Sequence, residues 1–450
     1  MDKYNEFRLK YKDFYYHGFD IKYYDEYIFV TYDFEIKDLM RFNPTLKVPI
    51  NNNVNYDKSV VEAIVFLGGL AEIPSYWKPT CSPNIIIECG SLDEKQISWL
   101  KKLIFNGLGE FFYINKINPN YDNFVNITST GKTYTIVDNN NYDGYLVAVG
   151  GGKDSITSLE ILKDKKNKKA FIINNRKICF DSCYTAGLTN DEIINVERLF
   201  DRKIIELNNN GFLNGHTPIS SCIAFISYLT CYLNGIKYSV LSNEASANEA
   251  SVKGTNINHQ YSKSLEFEND FRWITKNYLS DKIEYFSLLR PLNELQIMKI
   301  FTKYEKYFKH FISCNNGGKS KNIGKTDGWC NTCSKCLFIY LLMSNFVDKE
   351  KMIDIFGEDL LDKKEMLEYF LELLGKKESK PFECVGTIDE VNYVVNNLFN
   401  KREDLPYLLK YYKENYLVAK PDNNVITKLS EEHNVPLDLY ELVRKELNND

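Results

Sequence analysis

The sequence predicts an α/β protein: a parallel sheet covered by helices, preceded by an N-terminal α+β domain and followed by a C-terminal helical region. Three observations predict it. From Tyr145 onward, short apolar runs alternate with helical patterns, as in a parallel sheet with helices on both faces. Residues 5 to about 50 alternate apolar and polar side chains rich in aromatics and β-branched types, the mark of antiparallel strands. Beyond about residue 346 the chain reads as helices with one interruption at 380–387. The expected divisions are 1–135, 140–345 and 346–450, in keeping with 450 residues and a soft prior of about 150 residues per domain.

The composition is that of a globular chain, with 44% hydrophobic and 26% charged residues. A net charge of -5 without a long basic run speaks against a nucleic-acid partner. No uninterrupted apolar run reaches the roughly 18 residues of a membrane span, and Met1-Asp2-Lys3-Tyr4-Asn5-Glu6 has no signal-peptide pattern. We therefore expect no membrane association and a cytoplasmic protein. Eleven cysteines in such a chain argue for metal binding or buried thiols before disulfides.

In order, strands such as Tyr27–Ile36 are expected, with a hairpin turn near His17-Gly18. A helix over Val60–Leu67 should stop at Gly68-Gly69. Leu70–Pro83 has no period and reads as either a binding loop or a rigid surface connector. A helix spans Asp93 to Asn106, Gly107–Tyr113 turns back, and residues 117–142, rich in Asn and Thr, mark a boundary. Tyr145–Val149 is a buried strand, Ser155–Leu162 a helix and Ala170–Asn174 a second strand. A helix over Asp191–Phe200 and a strand over Lys203–Leu207 would continue the alternation. Thr217 and Pro218 start an apolar, buried helix from Ile219 to Leu233, which stops at Asn234-Gly235 before strand Tyr238–Leu241.

Between the strand at Tyr145 and its helix lies Gly150-Gly151-Gly152-Lys153-Asp154-Ser155. Glycines let a ligand approach the backbone, and a helix N-terminus favours an anion. The Walker pattern fails, because Val147 stands where its first glycine belongs and Asp154 follows the lysine; the dinucleotide fingerprint fails at Ser155. The loop resembles the PP-loop of ATP pyrophosphatases, Ser/Gly-Gly-Gly-x-Asp-Ser. That likeness implies an adenine nucleotide alpha hydrolase-like domain that cleaves ATP to AMP and pyrophosphate. A plain glycine turn before a helix is the alternative.

Ligands of parallel sheets sit at the carboxyl ends of strands. The second such end carries Ser242-Asn243-Glu244-Ala245-Ser246-Ala247-Asn248-Glu249, and the chain continues into Asn258-His259-Gln260-Tyr261-Ser262-Lys263-Ser264. We read this polar patch as facing substrate; a capped helix with a solvated face is the alternative. Cys330, Cys333 and Cys336, with Cys314 upstream, have the spacing of a structural zinc site, buried free thiols being the other reading. Lys380-Pro381-Phe382-Glu383-Cys384-Val385-Gly386-Thr387 interrupts the C-terminal helices, and as a surface connector it would not need its cysteine.

Taken with Gly68–Lys78, Gly107–Tyr113, Leu289–Leu292 and the cysteine cluster, these stretches resemble the MurL family, the UDP-N-acetylmuramoyl-L-alanyl-L-glutamate epimerases. The likeness covers roughly residues 60 to 390. It implies inversion of the terminal L-glutamate of a UDP-linked muramoyl dipeptide in peptidoglycan precursor synthesis, with ATP going to AMP and pyrophosphate; the phosphate chemistry calls for Mg2+ as cofactor. The chemistry suits the loop. Removing the α-proton beside a carboxylate would pile up negative charge, whereas an acyl adenylate cancels that charge and stabilises the enolate.

On this reading Gly150, Gly151, Gly152 and Ser155 hold the phosphates, Lys153 neutralises them and Asp154 holds magnesium. Ser242 and Asn243 complete the nucleotide-binding set. His259 is the first choice for acid–base catalysis, then His216 and Glu244, then Cys81, each of which could instead be structural. Lys263 and Arg290 would meet the substrate's carboxylate or phosphates. Two alternatives stay open: a PP-loop enzyme that modifies a nucleobase or tRNA, and a zinc-stabilised ATP-binding protein without chemistry.

Overall fold

The structure, a computed structural model, describes all residues except 1, 135, 137, 139, 315–327, 419, 421 and 450. Of the expected boundary near 117–142, Thr135, Val137 and Asn139 thus lie outside the described residues.

Helix α1 (Lys3–Lys10) leads into strands β1 (Asp13–Tyr23), β2 (Tyr27–Ile36), β3 (Met40–Phe42) and β4 (Thr45–Pro49). Then follow α2 (Lys58–Trp77), β5 (Asn84–Ile87), α3 (Glu94–Gly107), α4 (Gly109–Ile114) and β6 (Asn126–Ser129). The middle of the chain holds β7 (Tyr145–Ala148), α5 (Lys153–Ile161), β8 (Lys168–Ile173), α6 (Lys177–Thr185), β9 (Ile193–Leu199) and α7 (Lys203–Asn209). It continues with α8 (Ile219–Asn234), β10 (Tyr238–Leu241), α9 (Leu265–Tyr278), β11 (Glu284–Ser287) and α10 (Glu294–Phe301). Helices α11 (Ser334–Met343), α12 (Lys349–Phe356), α13 (Leu367–Leu373), α14 (Ile388–Lys401), α15 (Tyr407–Asn415), α16 (Asn424–Thr427) and α17 (Leu437–Asn448) finish the described chain.

The strands form one 11-stranded mixed sheet in the order β11-β10-β7-β8-β9-β4-β2-β1-β5-β6, with β3 on β2. From β11 to β9 every pair is parallel. The pairs β9–β4, β4–β2 and β2–β1 are antiparallel, and β1–β5 and β5–β6 are parallel again. The α/β expectation therefore stands at the level of a large, mostly parallel sheet with helices. As folding units, 1–135, 140–345 and 346–450 remain our proposal; the sheet itself runs through the first division by the pairing of Thr45–Lys47 with Glu197–Leu199.

Three local expectations are corrected. No hairpin turn forms at His17-Gly18, because β1 runs through it with a bulge between Tyr16 and Gly18. The helix expected to stop at Gly68-Gly69 continues to Trp77, so most of the stretch read as an irregular loop is helical. The reason is packing: a Cβ on Gly69 would stand 2.1 Å from the Tyr16 hydroxyl. The glycine is thus a contact point for β1 and not a helix terminator. Carried this far, α2 is the one described helix long and apolar enough to cross a membrane, yet 83% of that stretch is buried inside the protein.

The third correction is a swap: Ile193–Leu199 is a strand and Lys203–Asn209 a helix. Ile194 and Val196 alternate with more exposed neighbours, a period of two. A capping box between Thr189 and Glu192 supports only one tight turn before the strand begins. Arg198 on β9 then forms a two-toothed, buried ion pair with Glu72 of α2, at 2.7 and 2.6 Å. Helix α8 is buried nearly all round, as its composition requires, and packs on α2.

Candidate active site

The chain leaves β7 through Gly150, Gly151 and Gly152 and enters α5 at Lys153. Gly151 has φ +80°, and a Cβ there would meet Ile178 at 2.7 Å. A Cβ on Gly152 would stand 2.8 Å from Ser313 Oγ, a buried hydroxyl without a hydrogen-bond partner. Gly150 has nothing within 4 Å of such a Cβ, so the loop opens there. The first N–H groups of α5 lack intrahelical acceptors. Ser155 Oγ donates to the Gly152 carbonyl at 3.0 Å, which steadies the turn.

Lys153 does not stand in the mouth of this loop. Its side chain is fully buried, and its ammonium pairs with Asp154 and with Glu294 of α10. Burial opposes the charge, but these two carboxylates hold the lysine protonated. Through these pairs it braces the base of the loop. Glu294 also receives Lys335 of α11 at 3.4 Å, and its acidity rises: burial works against ionisation, yet Lys153 and Lys335 prevail. Glu244, after β10, is pushed the other way by burial, Glu294 and Asp154. Ser242 bonds Ser158 at 2.8 Å and so ties the end of β10 to α5, and Asn243 donates to Ser287 at 3.0 Å and ties it to the end of β11.

Next to this loop the structure assembles a second group. His259 Nδ1 bonds Glu110 of α4, and the His216 ring lies 4.4 Å from the His259 ring, centroid to centroid. The Cys384 sulfur also acts on His259 and favours its charged form. Lys263 Nζ donates to the same sulfur at 2.9 Å. Burial alone would lower the His259 pKa; Cys384 and Glu110 overcome it and hold the imidazole at about 9. Burial, with the charges of His259, Lys78 and Lys263, drives His216 down to about 3. Burial would raise the Cys384 thiol, but Lys263, His259 and Lys335 bring it down to about 6. At neutral pH the two histidines thus differ in charge, and Cys384 faces an imidazolium as a thiolate.

Glu110, His216 and His259 can bring ligand atoms within 4.8 Å of one another. The ammonium groups of Lys78 and Lys263 act on the same spot and count against a cation there. Lys263 couples this group to the glycine loop, because Cys384, Glu244 and Asp154 all stabilise its charge.

Two sequence-predicted residues stand elsewhere. Arg290 is fully buried, donating to the Glu244 and Lys263 carbonyls at 2.6 Å each and to Glu268 at 3.1 Å. It ties the two loops together through their backbone. Cys81 is buried, donates to the Lys78 carbonyl at 3.3 Å and is held as a thiol by desolvation. The residues missed were Glu110, Cys384, Lys78, Glu294 and Lys335. Cys384 carried a signal as a cysteine in an irregular segment between helices, and Lys78 and Glu110 lay in the stretches Gly68–Lys78 and Gly107–Tyr113 that carry the resemblance.

The four cysteines of the C-terminal half converge. Cys314 and Cys333 sulfurs are 4.0 Å apart, Cys330 and Cys336 3.6 Å, and Cys333 and Cys336 3.5 Å. Four thiolates bound at about 2.3 Å to a tetrahedral zinc stand roughly 3.8 Å apart. The donor set therefore fits zinc.

A family model described as the MurL N-terminal domain matches residues 6–288, and one described as the MurL C-terminal domain matches 310–419. The chain is 30% identical over 393 residues to the UDP-N-acetyl-alpha-D-muramoyl-L-alanyl-L-glutamate epimerase of Xanthomonas oryzae pv. oryzae, covering 86% of each chain. To the protein of the same name from Salinispora tropica it is 32% identical over 359 residues, 78% of this chain and 76% of that one. To that of a Micromonospora species it is 31% identical over 363 residues, 78% of each. No solved structure matches the chain.

Proposed function

The chain belongs to the MurL family, and from that premise we propose that it inverts the terminal L-glutamate of UDP-N-acetylmuramoyl-L-alanyl-L-glutamate to D-glutamate at the expense of ATP, in the cytoplasm. The observation that carries the reading is the adjacency of a glycine loop suited to phosphates and a group whose members differ in proton affinity, linked through Lys263. A substrate carboxylate adenylated at the loop would place its α-carbon beside that group.

The fold of the loop region is, on this proposal, that of the PP-loop ATP pyrophosphatases. The open side over Gly150, the free N–H groups of α5 and the orphan hydroxyl of Ser313 are suited to pyrophosphate. Asp154, part-exposed at the first turn of α5, offers the hard oxygen that magnesium takes. Magnesium held there would shield the phosphate charge. Zinc on Cys314, Cys330, Cys333 and Cys336 would be structural, fixing the start of α11 and with it Lys335.

Adenylation removes the negative charge of the glutamate α-carboxylate, so the α-proton can leave. Lys263 and the His259 imidazolium lie where negative charge develops, and Glu110 keeps His259 charged and oriented. His216, held neutral, packs tilted against the His259 ring at 4.4 Å between centroids.

Purified protein incubated with ATP, magnesium and UDP-N-acetylmuramoyl-L-alanyl-L-glutamate should release pyrophosphate only with that substrate and yield D-glutamate on hydrolysis of the product. Pyrophosphate without inversion would overturn the epimerase and keep the adenylating loop.

A further inference from the structure

Cys384 lies in the irregular segment between α13 and α14, and that segment is pinned on several sides. Lys380 donates its backbone N–H to the Ser251 carbonyl at 2.9 Å, and its ammonium pairs with Glu249 and bonds the Gly386 carbonyl at 3.2 Å. The Phe382 ring lies 5.6 Å from that of Tyr113 on α4. Lys335 of α11 donates to the Cys384 carbonyl. The thiol is therefore held in place from the N-terminal half, from the loop after β10 and from the cysteine-bearing helix.

The groups that face the sulfur are Lys263, His259 and Lys335, with Glu110 behind His259. At other thiols burial prevails: Cys179 and Cys222 are pushed up despite Arg176 and Arg198 nearby, and Cys183 and Cys231 are pushed up as well.

We propose that the Cys384 sulfur is the base that takes the α-proton of the activated glutamate, an assignment that rests on the epimerase reading above. The C–H electron pair stays on the acyl adenylate as an enolate, and the proton forms the S–H bond. An acid in exchange with solvent delivers a proton to the opposite face, re-forming the C–H bond with inverted configuration. The thiol then returns its proton to water. Lys263 and His259 keep the sulfur anionic without bonding it covalently, and both are positioned to stabilise the enolate oxygen once the sulfur is neutral.

The test uses the full chain and its Cys384→Ser variant with ATP, magnesium and the UDP-linked dipeptide in D2O. Three quantities are read: substrate-dependent pyrophosphate, deuterium at the glutamate α-carbon, and D-glutamate. Removing a positioned base costs typically about 10²–10⁴-fold. The variant should therefore lose deuterium uptake and inversion at least about 100-fold while still releasing pyrophosphate. Exchange and inversion within about tenfold of wild type, or an acyl group found on Cys384 after acid quench, would overturn the assignment. If wild type itself releases no substrate-dependent pyrophosphate, the epimerase reading fails and not the choice of base. Should Cys384→Ser lose pyrophosphate release as well, alkylation of wild type by iodoacetamide at neutral pH decides. Selective modification of Cys384 that stops deuterium uptake while pyrophosphate still forms supports the role; modification that leaves uptake unchanged, or none at Cys384, refutes it.

Discussion

Replacing Glu110 with glutamine keeps the shape of the side chain and removes the charge that faces His259. In the native protein Cys384 and Glu110 outweigh burial and hold this imidazole at about 9, against an ordinary 6.5. That gap is worth about 3 kcal/mol at roughly 1.4 kcal/mol per tenfold change in proton affinity. The His259 side chain is 13% exposed, so solvent screens little of it. Because the folded-state value lies above the unfolded one, the stabilisation is whole below pH 6.5 and fades as pH rises through about 9. Cys384 and Glu110 share it, so Glu110→Gln should lose on the order of 1–2 kcal/mol near pH 6 and much less near pH 10. Urea unfolding at both pH values reads this difference, and carbon-detected NMR of the imidazole reads the midpoint directly. The His259 midpoint should fall well below 9 in the variant. A native midpoint near 6.5, or one that does not move in Glu110→Gln, would refute the reasoning.

Other expectations follow from the packing and the cysteines. The purified protein should carry one zinc by elemental analysis, and Cys333→Ser should lose it and melt earlier; a metal-free protein whose melting ignores chelators would contradict this. Gly69→Ala should destabilise by about 1–3 kcal/mol in chemical unfolding, since its Cβ would press on Tyr16. Tyr16→Phe, which removes a buried hydroxyl without a partner, should be near neutral alone and recover part of that loss. Glu72→Ala should cost about 3–5 kcal/mol by stranding the buried Arg198 charge between α2 and β9, and an unchanged unfolding midpoint would show the pair to be unimportant.

How much of this was legible depended on distance along the chain. The glycine loop, its strand and its helix could be read because all three signals are contiguous, and α8 because Pro218 and Gly235 bracket an apolar run. Gly68-Gly69 misled because two glycines that admit Tyr32 and Tyr16 look the same in sequence as two that end a helix. The 191–209 segment misled because seven residues hold too few turns to separate a period of two from one of 3.6. In the site, His259 and Lys263 stood out as polar residues at the expected edge of the sheet. Their partners did not: Glu110 is 149 residues from His259, and Cys384 121 from Lys263. Only the sheet topology and the return of the C-terminal segment bring them together. The inward turn of Lys153 was also hidden, because its partner Glu294 sits on an amphipathic helix like any other.

The most direct test of the central claim is the fate of the substrate's own oxygen. UDP-N-acetylmuramoyl-L-alanyl-L-glutamate labelled with oxygen-18 in the glutamate α-carboxylate is turned over with ATP, and the AMP is weighed by mass spectrometry. If the carboxylate is adenylated before inversion, AMP gains one heavy oxygen for each D-glutamate released. Inverted product alongside unlabelled AMP would show that the proton leaves an unadenylated substrate, and the account given for the glycine loop would be wrong.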